Sequence, residues 1–144
     1  MNLFPEVTSQ LRGHCGEHGG ILQHCINNPA FMSILGTIKT NVVDMVEGSS
    51  DPVFTIVVVC AHGRHRSVAV ARSLHYILNS YGYQCPEPSH LGDWSKLCSK
   101  CEQCSTTRFS RTKKEALEKA LALYDLEAWK LNRGGTPHAF KRAG

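Results

Sequence analysis

The stretch that decides the fold is FTIVVVCAHGRHRSVAVARSLHYILNSY, residues 54–81. It opens within an apolar run, Val53 to Val59, in which β-branched residues predominate. A run of this length and composition predicts a strand that is buried on both faces. The apolar positions from Val68 to Leu78 recur at helical spacing, which predicts a helix. The sequence therefore predicts a strand, a short loop and a helix in direct succession.

The loop between the two elements, residues 60–67, reads CAHGRHRS. At such a junction the backbone N–H groups and the helix dipole favour a bound phosphate or another oxyanion. Gly63 lets the backbone approach the anion, and Arg66, with Arg64 as a second candidate, can bind it through a bidentate guanidinium. Ser67 can cap the helix. We therefore interpret this loop as a phosphate-binding loop.

The chain has 144 residues, enough for one domain with a buried core. Asn28 and Pro29 predict the start of an earlier helix, and a capping box that begins at Thr112 predicts a last one. A second, short strand is predicted at Tyr83–Cys85. This order predicts one α/β domain over residues 1–144, with a small, mostly parallel sheet flanked by helices.

Charge is distributed unevenly along the chain. Residues 1–60 carry two basic and five acidic side chains (−3), whereas residues 61–144 carry fourteen and seven (+7), which together give the net charge of +4. A basic C-terminal part suits RNA or another polyanion, although a solvated helix with a basic tail explains it as well. No run reaches the roughly 20 apolar residues of a membrane span, and no secretory signal is visible. We therefore predict a cytoplasmic protein without a membrane partner; homo-oligomerisation is left open.

Three of the seven cysteines form a C-x2-C-x2-C run, Cys98, Cys101 and Cys104. Three thiolates this close together can bind one tetrahedral ion, and zinc is the usual metal. The expected fourth ligand is Cys85, with His90 as the alternative. An iron–sulfur cluster and plain reduced thiols are competing interpretations, but the run lacks the fourth cysteine and the proline of bacterial ferredoxins. The sequence therefore predicts a structural zinc ion.

A second group of possible ligands lies near the N-terminus and comprises His14, Cys15, His18, His24 and Cys25. Their spacing matches no standard zinc site, so a metal ion here is the less favoured interpretation. The glycines of the RGHCGEHGG cluster, residues 12–20, favour a loop there. We therefore expect this stretch to line the phosphate site.

Cys60, Arg66 and Ser67 also form a C-x5-R-S pattern that resembles cysteine-dependent phosphatases. In those enzymes a thiolate at a helix N-terminus attacks phosphorus while the loop and its arginine hold the phosphoryl oxygens. Their aspartate general acid lies farther upstream than Asp44 and Asp51 do here, sixteen and nine residues before the cysteine. A phosphatase with Cys60 as nucleophile and Arg66 as phosphate clamp is therefore the alternative, and a protein that is not an enzyme is preferred.

The chain more strongly resembles the C-terminal domain of the RNase adapter protein RapZ and its relatives. That family has a strand ending in Gly-Cys-Thr-Gly-Gly, one basic or polar residue, and then His-Arg-Ser-Val, which is similar to the stretch from Cys60 to Val68. The similarity covers about residues 11–92, including an upstream Leu-Arg pair and a downstream histidine, His90. The cysteine run, the last helix and the basic tail, residues 93–144, lie outside it.

The resemblance implies a non-catalytic module that binds a phosphorylated small molecule, such as an amino-sugar phosphate, or the phosphates of RNA. Ala61 and His62 depart from the family's Thr and Gly, and Leu91 replaces an Arg. No Walker motif is present, so no preceding ATPase domain is expected in this sequence. The predicted phosphate-binding residues are Cys60, His62, Gly63, Arg64, His65, Arg66, Ser67 and His90.

Overall fold

The computed structural model describes residues 11, 13–48, 50, 53–60, 65–91, 98 and 101–131. Four α-helices are described, α1 (Gly19–Asn27), α2 (Pro29–Gly48), α3 (Arg66–Ser80) and α4 (Arg111–Leu131), with a 3₁₀ turn at Glu102–Cys104 before the last helix. Helix α4 packs against the other three, and α1 also packs against α2 and α3. The described residues therefore form a helical bundle in which α1 and α4 contact every other helix.

The core of the bundle is made by one apolar face from each helix. In α4, for example, Leu117, Leu121 and Tyr124 recur at intervals of three or four residues and are almost fully buried. Burying one such side chain contributes about 1.5–3 kcal/mol relative to leaving it exposed. The main core cluster consists of Leu22, Cys25, Ile26, Phe31, Leu35, Ala69, Val70, Leu74, Ile77, Ala116, Leu117, Ala120, Leu121 and Tyr124.

The predicted helix starts are close to the observed ones. Asn28 accepts a hydrogen bond at 2.9 Å from the backbone N–H of Ala30, which is the contact expected of an N-cap. The last helix begins slightly earlier than predicted, because the capping side chain is Ser110 rather than Thr112. Ser110 Oγ accepts from the backbone N–H of Lys113 at 3.2 Å.

The predicted α/β fold with a parallel sheet is wrong, because the described residues include helices but no strand. The run Val53 to Val59 has no regular secondary structure, and Val53, Val57 and Val59 are 71%, 76% and 84% exposed. A buried strand needs neighbouring strands for its backbone groups, and an apolar run does not specify them. In the described part of the chain, the apolar helix faces pack directly on one another and form the core without a sheet.

The short strand predicted at Tyr83–Cys85 is likewise absent from the described residues. Helix α3 ends in a Schellman turn, in which Gly82 has a φ of 92° and the N–H of Tyr83 bonds to the carbonyl of Leu78 at 3.1 Å. The side-chain amide of Asn79 then pairs with both the N–H and the C=O of Cys85, at 3.2 and 3.1 Å. A side chain therefore satisfies the backbone groups that a partner strand would otherwise bind.

None of the described helices combines the length with the apolarity that crossing a bilayer requires. The single domain over residues 1–144 stays a prediction, because residues 1–10 and 132–144 lie outside the described part of the chain.

Candidate anion-binding helix end and thiol cluster

The thiol of Cys60 lies beside the first turn of α3. Ser67 donates its backbone N–H to Cys60 Sγ at 3.3 Å, and the thiol lies 3.3 Å from Ser67 Oγ. Ser67 is inside the helix rather than at its cap, since α3 begins at Arg66 and His65 takes the cap position. The two ends of the C-x5-R-S pattern therefore meet at a helix N-terminus, where the backbone N–H groups and the dipole favour an anion.

Three predicted loop residues, His62, Gly63 and Arg64, lie outside the described residues, and their role stays a prediction. Arg66 is half-buried, and its charge acts on Cys25 of α1. Burial raises the pKa of the Cys25 thiol to about 12, although the positive charge of Arg66 opposes that rise. The Arg66 guanidinium therefore acts electrostatically on a side chain of α1 as well as lying at the start of α3.

Residues 13–18 cross the first turn of α3 at very short range. A Cβ atom added to Gly16 would lie 2.2 Å from the carbonyl oxygen of His65 and 2.4 Å from the backbone nitrogen of Ala69. Both neighbours are main-chain atoms, so no residue with a side chain fits there without moving the backbone. The segment therefore lies directly against the helix end that carries Arg66.

Glu17, in the same segment, is fully buried among cationic partners. Its carboxylate accepts hydrogen bonds from Arg72 Nε at 2.8 Å and Lys113 Nζ at 2.7 Å, and lies 3.0 Å from His90 Nε2. Burial alone would raise the pKa of Glu17, but hydrogen bonds from His90 and Arg72, with the charge of Lys113, lower it to about 2. The sequence gives no sign of this role, because the partners are 55, 96 and 73 residues away.

Arg72 connects this buried carboxylate with a second one nearer the surface. It donates to Glu87 Oε2 at 2.6 Å and lies 3.2 Å from Nδ1 of His75. Burial and the charge of Arg72 lower the pKa of His75. His90 was predicted to face the bound phosphate; the described contact is with Glu17, and a phosphate contact stays a prediction.

The three cysteines of the C-x2-C-x2-C run lie around the imidazole ring of His14, which belongs to the N-terminal segment. His14 Nδ1 is 3.4 Å from Cys104 Sγ, 3.5 Å from Cys101 Sγ and 3.9 Å from Cys98 Sγ. Ligand atoms within 4.8 Å of one another form two groups: His14 with Cys98 and Cys104, and His14 with His18 and Cys101. We call the side chains of His14, His18, Cys98, Cys101 and Cys104 the thiol cluster; it could hold a metal ion.

Cys15 and Val68 lie next to the thiol cluster. Both are buried together with Cys98 and Cys104 in a small apolar group that is separate from the main core. A hydrogen bond with Cys104 lowers the pKa of the Cys15 thiol. Val68 belongs to the first turn of α3, so this cluster is in contact with the helix end described above.

Cys85, the predicted fourth metal ligand, is in neither of the two groups of ligand atoms found among the described residues. Its backbone pairs with Asn79, and burial raises the pKa of its thiol. The structure instead brings His14 to the three cysteines. Spacing along the chain could not reveal this, because His14 lies 84 residues before Cys98 and the two segments meet only in the packed fold.

Taken together, the described residues form a helical bundle with a candidate anion site at one helix end and a thiol–imidazole cluster beside it. The family model described as the RapZ C-terminal domain matches residues 3–90. The chain belongs to that family, which confirms the resemblance seen in the sequence. A nucleotide-binding protein of Mycolicibacterium smegmatis is 29% identical over 73 residues, covering 49% of this chain and 25% of that protein. The chain thus matches about a quarter of that relative's length, and no solved structure gives a significant match.

Proposed function

We propose that this domain binds a phosphorylated ligand at the N-terminus of α3, with Arg66 and Ser67 among the binding residues. The observation that carries the proposal is the closure of Cys60 onto Ser67, since both ends of the loop are thereby held at the positive end of a 15-residue helix. Family membership and the name of the mycobacterial relative support a phosphate-related or nucleotide-related role. Binding, rather than catalysis, is the proposed activity.

Isothermal titration with inorganic phosphate, a nucleoside monophosphate and an amino-sugar phosphate tests this proposal. We expect Arg66→Ala to weaken binding at least about tenfold, because a charge-assisted bidentate contact is lost. Arg111→Ala is the matched control, since that arginine is exposed and pairs with Glu115 on the surface. Equal affinity in Arg66→Ala and the parent protein would reject the assignment.

A phosphorylated small molecule and RNA differ in how their binding responds to salt. Binding of an RNA through several phosphates weakens steeply as salt concentration rises, whereas binding of a single phosphate group weakens much less. The basic part of the chain keeps RNA as a candidate ligand. Titration of a short RNA at two salt concentrations, with Arg66→Ala in parallel, distinguishes loop binding from contacts made elsewhere.

The second candidate function is a cysteine-dependent phosphatase, favoured by the contact between the Cys60 thiol and the start of α3. A thiol at a helix N-terminus is the arrangement that these enzymes use for their nucleophile. The buried carboxyl group beside α3, Glu17, has a pKa of about 2 and is therefore a poor proton donor at neutral pH. Hydrolysis of p-nitrophenyl phosphate that disappears in Cys60→Ser would establish the phosphatase, and no turnover in the parent protein would reject it.

The thiol cluster is proposed to hold one structural zinc ion through Cys98, Cys101, Cys104 and His14. Zinc–sulfur and zinc–nitrogen bonds of standard length, at a tetrahedral angle, place sulfur and nitrogen ligands about 3.6 Å apart. The three distances from His14 Nδ1, 3.4, 3.5 and 3.9 Å, bracket that value. The ligand types and the distances from His14 Nδ1 therefore support a site with three cysteines and one histidine. Cys101 shares a ligand group with His14 and His18 rather than with Cys98 and Cys104, so its sulfur would have to move closer to those two cysteines when the ion binds.

Metal analysis of the purified protein and two variants tests the ligand set. We expect one equivalent of zinc in the parent protein and a loss of most of it in His14→Ala. Cys85→Ser is the control and is expected to keep its zinc, since that thiol lies outside the cluster. Loss of zinc in Cys85→Ser but not in His14→Ala would restore the ligand assignment made from the sequence.

A further inference from the structure

The segment formed by residues 13–18 is shared by the two sites. His14 belongs to the thiol cluster, whereas Gly16, two residues later, lies against the first turn of α3. We infer that a metal ion in the thiol cluster and a phosphate group at the start of α3 bind cooperatively, each raising the affinity for the other. This inference rests on the proposed function, because it concerns the regulation of that same anion site.

The first physical connection is a direct side-chain contact. Val68 lies in the first turn of α3, two residues after Arg66, and is 2% exposed. It packs in one buried group with Cys15, Cys98 and Cys104. Atoms packed this closely cannot be displaced independently, so the position of the cysteines and the position of the helix end depend on each other.

The second connection is the main-chain contact at Gly16. A Cβ atom there would overlap the His65 carbonyl, at 2.2 Å, and would lie 2.9 Å from the Val68 Cβ atom. This short range fixes the path of the segment on the helix surface. A metal ion bound through His14 would therefore restrain the backbone that lies against the residues preceding Ser67.

The third connection holds the segment one turn farther along α3. Glu17 pairs with Arg72 at 2.8 Å, and both side chains are fully buried. Residues 16 and 17 consequently contact α3 from His65 to Arg72, so the segment and the helix end behave as one body. The metal ion would bind at His14, on one side of this contact surface. The anion would bind at the start of α3, which the same surface contacts.

Thermodynamic linkage requires the two ligands to affect each other's affinity equally. If metal binding orders the helix end that the anion needs, the metal raises the anion affinity by some factor, and the anion must raise the metal affinity by the same factor. Coupling between two binding sites typically changes affinity by a factor of between about 5 and 150. We therefore expect an effect of about tenfold here.

The test is a phosphate titration of the full chain, zinc-loaded and freed of excess metal, compared with the same protein stripped by a chelator. We expect inorganic phosphate to bind about tenfold more weakly to the stripped protein. The reciprocal experiment follows the transfer of zinc to a chromogenic chelator, with and without saturating phosphate. It begins from folded, zinc-loaded protein and remains informative where the stripped form unfolds. The zinc affinity obtained from this equilibrium should rise by the same factor when phosphate is saturating.

A pair of valine variants separates this coupling from general destabilisation. Val68→Ala removes the contact with the thiol cluster, whereas Val70→Ala removes a similar volume from the main core. We expect the coupling factor to fall towards one in Val68→Ala and to persist in Val70→Ala. Equal phosphate affinity with and without zinc, or no effect of phosphate on zinc transfer, overturns the coupling. No phosphate binding by the zinc-loaded protein would instead overturn the proposed function itself.

Discussion

Glu17 is a charged side chain in the interior, and its environment explains why it stays charged. Removing a carboxylate from water is costly, and close cationic partners are needed to offset that cost. Arg72 and Lys113 supply hydrogen bonds and charge, and Lys113 also donates to the carbonyl of Ser105 at 2.8 Å. Glu17 therefore joins α3, α4 and the N-terminal segment through a single functional group.

Acid should destabilise the protein through Glu17. Its folded pKa of about 2 lies below the ordinary glutamate value of 4.5, so its contribution is fully present above pH 4.5 and is lost as the pH falls towards 2. A difference of this size corresponds to about 3 kcal/mol. Urea unfolding measured at intervals between pH 6 and pH 2.5 checks this expectation.

Glu17→Gln tests the same contact at neutral pH. The substitution removes the buried carboxylate that Lys113 and Arg72 share and leaves Arg72 paired with the more exposed Glu87, and we expect it to cost about 3–5 kcal/mol of unfolding free energy. The stability of this variant should depend less on pH below 4.5 than that of the parent protein. Glu115→Gln is the control: its partner is the exposed Arg111, so a change within about 1 kcal/mol is expected. Similar losses in both variants would contradict the role given to Glu17.

At the scale of single elements, α2, α3 and α4 were predicted from the sequence, whereas α1 was missed because Gly19 and Gly20 favoured a loop, and the predicted strands are absent from the described residues. A helix satisfies its own backbone groups, so local spacing and capping residues largely determine where it forms. Asn28 marked the start of α2 for this reason. A strand depends on distant partners, and the apolar composition of Val53 to Val59 says nothing about whether such partners exist. The wrong fold class follows from treating apolar composition as evidence of strand pairing.

The cap of α2 gives a prediction at this scale. Asn28→Ala removes the acceptor of the Ala30 N–H and should cost about 1 kcal/mol of unfolding free energy. Asn41→Ala is the control, since Asn41 is exposed within the same helix and alanine is the better helix former there. Urea denaturation of both variants measures the difference. A stability unchanged in Asn28→Ala would mean that the cap contributes nothing measurable.

For the whole molecule, the proposed zinc ion would connect segments that are far apart in sequence. His14 and Cys98 are 84 residues apart, so a metal bridge between them restricts much of the unfolded chain. We expect a strong chelator to lower the melting temperature by about 10 °C, which corresponds to about 3 kcal/mol for a domain of this size. Thermal unfolding followed by circular dichroism, with and without the chelator, measures this shift.

The variant His14→Ala provides the comparison for that measurement. It should melt at a lower temperature than the parent protein and should respond little to the chelator, because the proposed bridge is already broken. Cys85→Ser should respond as the parent protein does. A melting temperature that the chelator leaves unchanged in the parent protein would argue against a structural metal ion.

The sequence by itself determined the helix starts at Asn28 and near Thr112, the membership of the RapZ C-terminal domain family and the three cysteines of the thiol cluster. These features are local, since each depends on residues within a few positions of one another. Only the tertiary structure decided that His14 meets those cysteines, that Glu17 is buried between α3 and α4, and that the described residues form a helical bundle. Such contacts arise from the packing of helices that are distant in the chain, and no spacing along the sequence encodes that packing.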